Sequence, residues 1–129
     1  MTDREFIEAV EHGRVEEFGH REHLRLAFAL VRQHGLGVAL VRARAILRHL
    51  AAAHGQPERF HLTLTDAWVR AVAHHLDVDP AVSGFDSLLE RFPQLLRQDL
   101  LGAHYSPELL WSRAARVHSL PPDRQPIPT

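Results

Sequence analysis

Apolar residues recur every three or four positions along most of this 129-residue chain, and that spacing constrains the fold more than any other feature. The clearest example is the stretch from residue 36 to 54, with apolar side chains at Leu36, Leu40, Ala43, Leu47 and Leu50. Such a repeat places an apolar stripe along one side of a helix, which must then be buried against other helices. Because no segment alternates apolar and polar residues as a half-buried strand does, we predict an all-α fold.

Local start and stop signals divide the first half of the chain into three helices. Thr2 or Asp3 caps a short first helix, and a second covers about residues 20 to 34. Gly35 ends the second helix, and the third follows at once over residues 36 to 54. Since almost nothing joins the second and third helices, we expect them to form an antiparallel hairpin.

The second half continues the helical pattern, so we predict a compact bundle of about five to seven helices. A fourth helix begins near His61 in "HLTLTDAWVRAVAHHL" and should stop before "DVDP". Short helical segments follow, and Ser106 with Pro107 form the N-cap and first turn of the last one, "PELLWSRAARV". With no internal repeat or linker, residues 1–119 are expected to form a single domain.

The last ten residues, 120–129, read "LPPDRQPIPT" and include four prolines. Proline removes the backbone N–H that a helix needs, so this segment should be extended. It also contains Leu120 and Ile127, whose side chains favour burial. We therefore predict a C-terminal arm that packs along its own bundle or across a neighbouring chain, the second case being a homodimer.

Composition excludes several classes of partner. Fifteen arginines, no lysine and sixteen acids give a net charge of -1, which offers no general attraction to nucleic acid. Arg42, Arg44 and Arg48 are predicted to form a solvated helix face. No apolar run spans a membrane, and acids follow Met1 where a secretory signal would be basic, so we expect a cytoplasmic protein without a membrane partner. The absence of cysteine restricts any metal site to nitrogen and oxygen ligands.

Histidine is the informative residue, with eleven copies in the chain. At 100° per residue, His20 and His23 fall on the apolar side of the second helix, and His61 on that of the fourth. Burying an unpaired polar group costs about 1 to 3 kcal/mol, so three inward imidazoles need partners. One shared divalent transition metal, such as zinc, iron or copper, would satisfy all three. The same projection turns Asp66, on the fourth helix, outward.

The sequence leaves three functions open. The first is a metal site at the three histidines, in an enzyme that acts on a small molecule. The second is a metal-free domain that binds a ligand or a partner, with its histidines hydrogen-bonded in the core. The third is a metal-free acid–base enzyme that uses the same imidazoles.

Five further residues are candidates for supporting roles in the predicted site. His104 and Tyr105 occupy a loop that could lie over one end of the bundle, where either could move a proton as a catalytic residue. Glu17 and Glu58 lie near the starts of the second and fourth helices, and Thr65 projects inward beside His61. These three could orient the metal ligands, although solvated acids and a backbone-bonded threonine are the simpler expectation.

Three segments together resemble a family of small, all-helical bacterial proteins to which no activity is assigned. They are "FGHREHLRLAFAL", "RFHLTLTDAW" and "HYSPELLWSRAAR", which match the patterns F-x-H-x-x-H-L-x-x-A, Y-H-x-T-x-T-x-A-W and Y-S-x-x-x-L-x-S-x-x-A-R. The resemblance singles out His20, His23, His61, Thr63, Thr65, Trp68, Tyr105, Ser106 and Arg116. This chain departs from the family at Phe60, where relatives have tyrosine, and at Leu62, where many have a glutamate. If that glutamate is a ligand or a base, its loss here implies different chemistry, or a substitute such as Glu17 or Glu58.

Overall fold

A computed structural model describes residues 1–128 and confirms the predicted all-α fold. Seven α-helices occur in this part of the chain, in the order α1 (Asp3–Glu11), α2 (His20–His34), α3 (Leu36–Ala53), α4 (Leu62–Val78), α5 (Phe85–Arg91), α6 (Pro107–Leu110) and α7 (Arg113–Val117). Three 3-10 helices, Pro57–Arg59, Pro93–Leu96 and Gln98–Ala103, connect the α-helices. Within the described chain, no helix is both long and apolar enough to cross a lipid bilayer.

The first three helices begin and end close to where the sequence places them. Thr2 caps α1 through a reciprocal pair of hydrogen bonds with Glu5. Gly35 alone separates α2 from α3, and its φ of 81° is a conformation that glycine adopts without steric cost. The two helices therefore pack side by side as the predicted hairpin.

Helix α4 forms the centre of the bundle because α2, α3 and α7 all pack on it. Its buried residues lie on every side of the helix rather than on one stripe. Because other helices surround α4, Asp66 is buried, and the prediction that it faces solvent is wrong. The helix also runs two residues further than expected, through Asp77 and Val78.

The C-terminal arm packs on its own bundle. His104 Nδ1 donates to the carbonyl oxygen of Gln125 (2.7 Å), and the backbone N–H of Ser106 donates to the Asp123 carboxylate (2.8 Å). The Tyr105 hydroxyl donates to the carbonyl oxygen of Leu120 (2.9 Å), and Ile127 packs against the core. Because its prolines prevent a regular helix, the arm has backbone carbonyl groups available to accept hydrogen bonds from the bundle.

Deleting residues 121–129 is expected to lower the free energy of unfolding by about 2 kcal/mol, because several hydrogen bonds are lost at about 0.5 to 1.5 kcal/mol each and Ile127 no longer covers the core. Denaturant unfolding of the full and shortened chains measures the difference. Equal stability of the two chains would contradict the arm's structural role.

Candidate functional site

An open cleft lies at one end of the bundle, where α2 and α4 begin and α3 ends. We call it the terminal cleft; its volume is about 400 Å³. That volume lies within the ~300 to 1,000 Å³ typical of small-molecule sites. Its walls are mainly apolar and are formed by Phe18, His23, Leu47, Leu50, Ala51, His54, Gln56, Arg59, Phe60, His61, Leu64 and Thr65.

His23 is the unusual member of the terminal cleft. Its Nε2 atom is buried and has no hydrogen-bond partner anywhere in residues 1–128. Burial, and to a smaller extent the neighbouring His20, lowers the pKa of His23 from 6.5 to about 4. The imidazole is therefore neutral at pH 7, and it holds an unsatisfied polar atom at a cost of about 1 to 3 kcal/mol.

His61 also lines the cleft, but both of its ring nitrogens have partners. It is the N-cap of α4, where Nδ1 accepts the backbone N–H of Leu64 (3.0 Å). Its Nε2 donates to the carbonyl oxygen of Leu110 (2.6 Å), which fixes the neutral tautomer with the proton on Nε2. Burial lowers the pKa of His61 as well. This histidine ties the start of α4 to the end of α6.

His20 lies outside the cleft lining. Its Nε2 donates to the carbonyl oxygen of Leu95 (2.8 Å), and its ring meets Trp68 edge-on with centroids 4.4 Å apart. Both contacts join α2 to neighbouring segments of the core. His20 is thus hydrogen-bonded in the way that the second hypothesis expects for a core histidine.

The three histidines do not form a ready metal site in this arrangement. Among residues 1–128, no group of three or more histidine or acidic side chains is placed to hold a metal ion. A metal at His61 would have to displace its bond from Leu64 or its bond to Leu110. The centre of zinc, iron or copper at His20, His23 and His61 therefore stays a prediction.

Of the three residues predicted to orient the metal ligands, one lines the cleft and two do not. Thr65 lines the cleft, and its hydroxyl donates to the carbonyl oxygen of His61 (2.8 Å), one turn back along α4. Glu17 and Glu58 are exposed, and neither contributes to the cleft walls. Glu58 is engaged through its backbone, whose carbonyl oxygen accepts from Arg116 (3.4 Å).

Tyr105 and His104, the predicted catalytic pair, are absent from the walls of the terminal cleft and hold the C-terminal arm instead. Tyr105 is buried beside a second hollow that it shares with Asp66 and Arg70. Burial and the charge of Asp66 raise the pKa of its hydroxyl, so the hydroxyl keeps its proton at pH 7. Catalysis by either residue stays a prediction.

Sequence reasoning missed the buried polar network around Asp66. Arg44 donates two hydrogen bonds to the Asp66 carboxylate, at 2.7 and 2.6 Å, and the Ser119 hydroxyl donates a third. The predicted solvated face of arginines is therefore wrong at Arg44, which crosses from α3 to pair with α4. A usable signal was present, because "HLTLTDAWVRAVAHHL" is apolar on nearly all sides and such a helix is buried.

The other two arginines of the predicted solvated face also have specific contacts. Arg42 forms an ion pair with Glu11 of α1 (2.5 Å). The Arg48 guanidinium lies 4.8 Å from the ring centroid of Phe60, a cation–π contact at the edge of the cleft. Arg48 of α3 thus contacts Phe60, a residue of the cleft wall.

Comparison of the chain with models of protein families, with curated proteins and with solved structures found no significant match. The resemblance to small bacterial helical proteins stays a prediction. The geometry of the terminal cleft is the basis for assigning a function.

Proposed function

We propose that this protein binds a small, largely apolar molecule in the terminal cleft, with His23 as the hydrogen-bonding group. The observation that carries the proposal is the unpaired, buried Nε2 atom of His23 in the wall of an apolar cleft. Buried polar atoms in native proteins nearly always have partners, so an exception of this kind points to a partner that is not part of the chain.

The chemistry of the cleft fits a ligand with one polar group. Leu47, Leu50 and Leu64 offer an apolar surface, and His23 offers a neutral ring that can donate or accept, depending on its tautomer. A histidine ring turns easily about χ2, since that torsion has a broad energy minimum. A small rotation would present Nε2 to a ligand and would remove the cost of its unpaired state.

Binding is favoured over acid–base catalysis by the low pKa of His23. A general base is most effective when its pKa lies near the working pH, and a pKa of about 4 makes this imidazole a weak base at pH 7. His61 is committed at both nitrogens, and Tyr105 is absent from the cleft walls. The cleft thus has groups that can position a ligand, whereas its two inward histidines, His23 and His61, are poorly suited to moving a proton.

A fragment screen by two-dimensional NMR tests the proposal. Tag-free, metal-depleted protein should give hits that shift resonances of His23, Leu50 and Leu64. Replacing His23 with leucine should weaken those hits about tenfold, since a hydrogen bond in a dry site contributes about 1 kcal/mol or more. His49→Leu is the matched control, because His49 is exposed on α3 and does not line the cleft.

Two results would count against the proposal. One is a screen with no hit in the terminal cleft. The other is tight Zn²⁺ binding that His20→Ala and His61→Ala each abolish, which would favour the predicted metal centre. Zn²⁺ is therefore included as a separate probe.

A further inference from the structure

We infer that the ligand of the terminal cleft is a small apolar carboxylic acid in its ionised form, held at the mouth by Arg59. This inference rests on the proposed binding function and adds the charge and chemical class of the ligand.

The first support is the charge of the cleft walls. Arg59 is the one lining side chain with a full charge at pH 7, and the lining includes no aspartate or glutamate. Arg59 is also free of any carboxylate partner in residues 1–128; one of its N–H groups donates to the side-chain oxygen of Gln56 (2.9 Å). A guanidinium has further donors arranged to meet a carboxylate, so this contact leaves capacity for a ligand.

The second support is the position of two further arginines near the cleft. Arg48 lies over Phe60 at the edge of the cleft, and Arg116 is close enough to contribute to lowering the pKa of His61. No carboxylate side chain contributes to the cleft walls, and the Glu22 carboxylate accepts the backbone N–H of Gly19 (2.8 Å). An anion in the cleft would therefore meet a guanidinium and no carboxylate among the lining side chains.

The third support is the size and polarity of the cleft. Since one water occupies about 30 Å³ in the liquid, 400 Å³ corresponds to about thirteen waters, which leaves room for a molecule of roughly ten non-hydrogen atoms. The leucines would cover its apolar body, Arg59 at the exposed mouth would hold the carboxylate, and His23 would approach from the wall. A multiply charged anion fits poorly, because Arg59 is the one arginine among the lining side chains and half of that lining is apolar.

The test compares octanoate with octanamide, which has the same number of non-hydrogen atoms and no charge. Binding is followed by titration calorimetry and by tryptophan fluorescence, to which Trp111 contributes with its ring edge-on to His61 at 5.6 Å. We expect octanoate to bind at least fivefold more tightly than octanamide, with the preference shrinking as salt is added. Arg59→Gln should bring the two affinities within twofold of each other.

Arg97→Gln is the control, because Arg97 is exposed, pairs with Asp99 and does not line the cleft. It should leave the preference for octanoate unchanged. Equal binding of octanoate and octanamide to the wild-type protein would overturn the charge assignment while leaving the cleft proposal intact. Absence of binding by octanoate, octanamide and every fragment would overturn both.

Discussion

Replacing Asp66 with alanine is expected to lower the free energy of unfolding by about 3 kcal/mol, and the melting temperature by roughly 10 °C. The Asp66 side chain is 4% exposed and accepts from both Arg44 and Ser119. Removing it leaves a guanidinium that is 32% exposed without its partner, so part of that charge can still reach water. The expected loss therefore lies at the lower end of the range for a broken buried ion pair.

Asp86→Ala is the matched control. Asp86 pairs with Arg21 at 2.9 Å, but the two side chains are 82% and 52% exposed, so the pair should contribute less than about 1 kcal/mol. Denaturant unfolding of both variants at pH 7 measures the difference. Similar losses in the two variants would show that the Asp66 network contributes no more than a surface pair.

The helices could be predicted because their signals are local. Thr2 and Gly35 mark boundaries through their own backbone chemistry, and the apolar spacing of α2 and α3 follows from one turn of helix. The extended C-terminal arm could also be predicted, because its prolines prevent residues 120–129 from forming a regular helix. None of these features depends on knowing which helices are neighbours.

The Asp66 network and the terminal cleft could not be predicted without knowing which helices are neighbours. A helical projection locates Asp66 opposite the apolar side of α4, but it does not reveal that Arg44 and Ser119 cover that side. It turns His20, His23 and His61 inward, but it does not reveal that His20 bonds to Leu95 and His61 to Leu110, far along the chain, while His23 Nε2 is unpaired. The inward orientation of the histidine side chains could be predicted from the sequence, whereas their hydrogen-bond partners could be identified only from the packed structure.

The contrast among the three inward histidines supports the site assignment. His20 and His61 satisfy ring nitrogens with backbone carbonyl groups, as core histidines ordinarily do. His23 leaves Nε2 unpaired at the wall of a cleft. A residue kept for stability alone would do better as leucine, so His23 is the one inward histidine whose cost calls for a functional reason.

The pH dependence of stability should carry the signature of His23. Its pKa is about 6.5 when unfolded and about 4 when folded, so the unfolded chain takes up a proton first as the pH falls. The part of the free energy of unfolding that depends on neutral His23 is fully present above pH 6.5. It declines between pH 6.5 and 4 and is constant at lower pH. A difference of about 2.5 in pKa corresponds to a loss of about 3 kcal/mol across that window.

His23→Leu isolates this contribution, because the variant keeps His61 and His75, whose pKa values burial also lowers, together with every carboxylate. At pH 7 it should be more stable than the wild-type protein by about 1 to 3 kcal/mol, since leucine leaves no unpaired nitrogen. At pH 4 its advantage should grow by about 3 kcal/mol, because only the wild-type protein has the His23 ring, which takes up a proton on unfolding. Denaturant unfolding at intervals between pH 7 and 4 measures both quantities, with His49→Leu expected to follow the wild-type curve. Parallel curves for His23→Leu and wild type would mean that folding does not lower the pKa of His23, and the assignment of a buried, unpaired ring would be wrong.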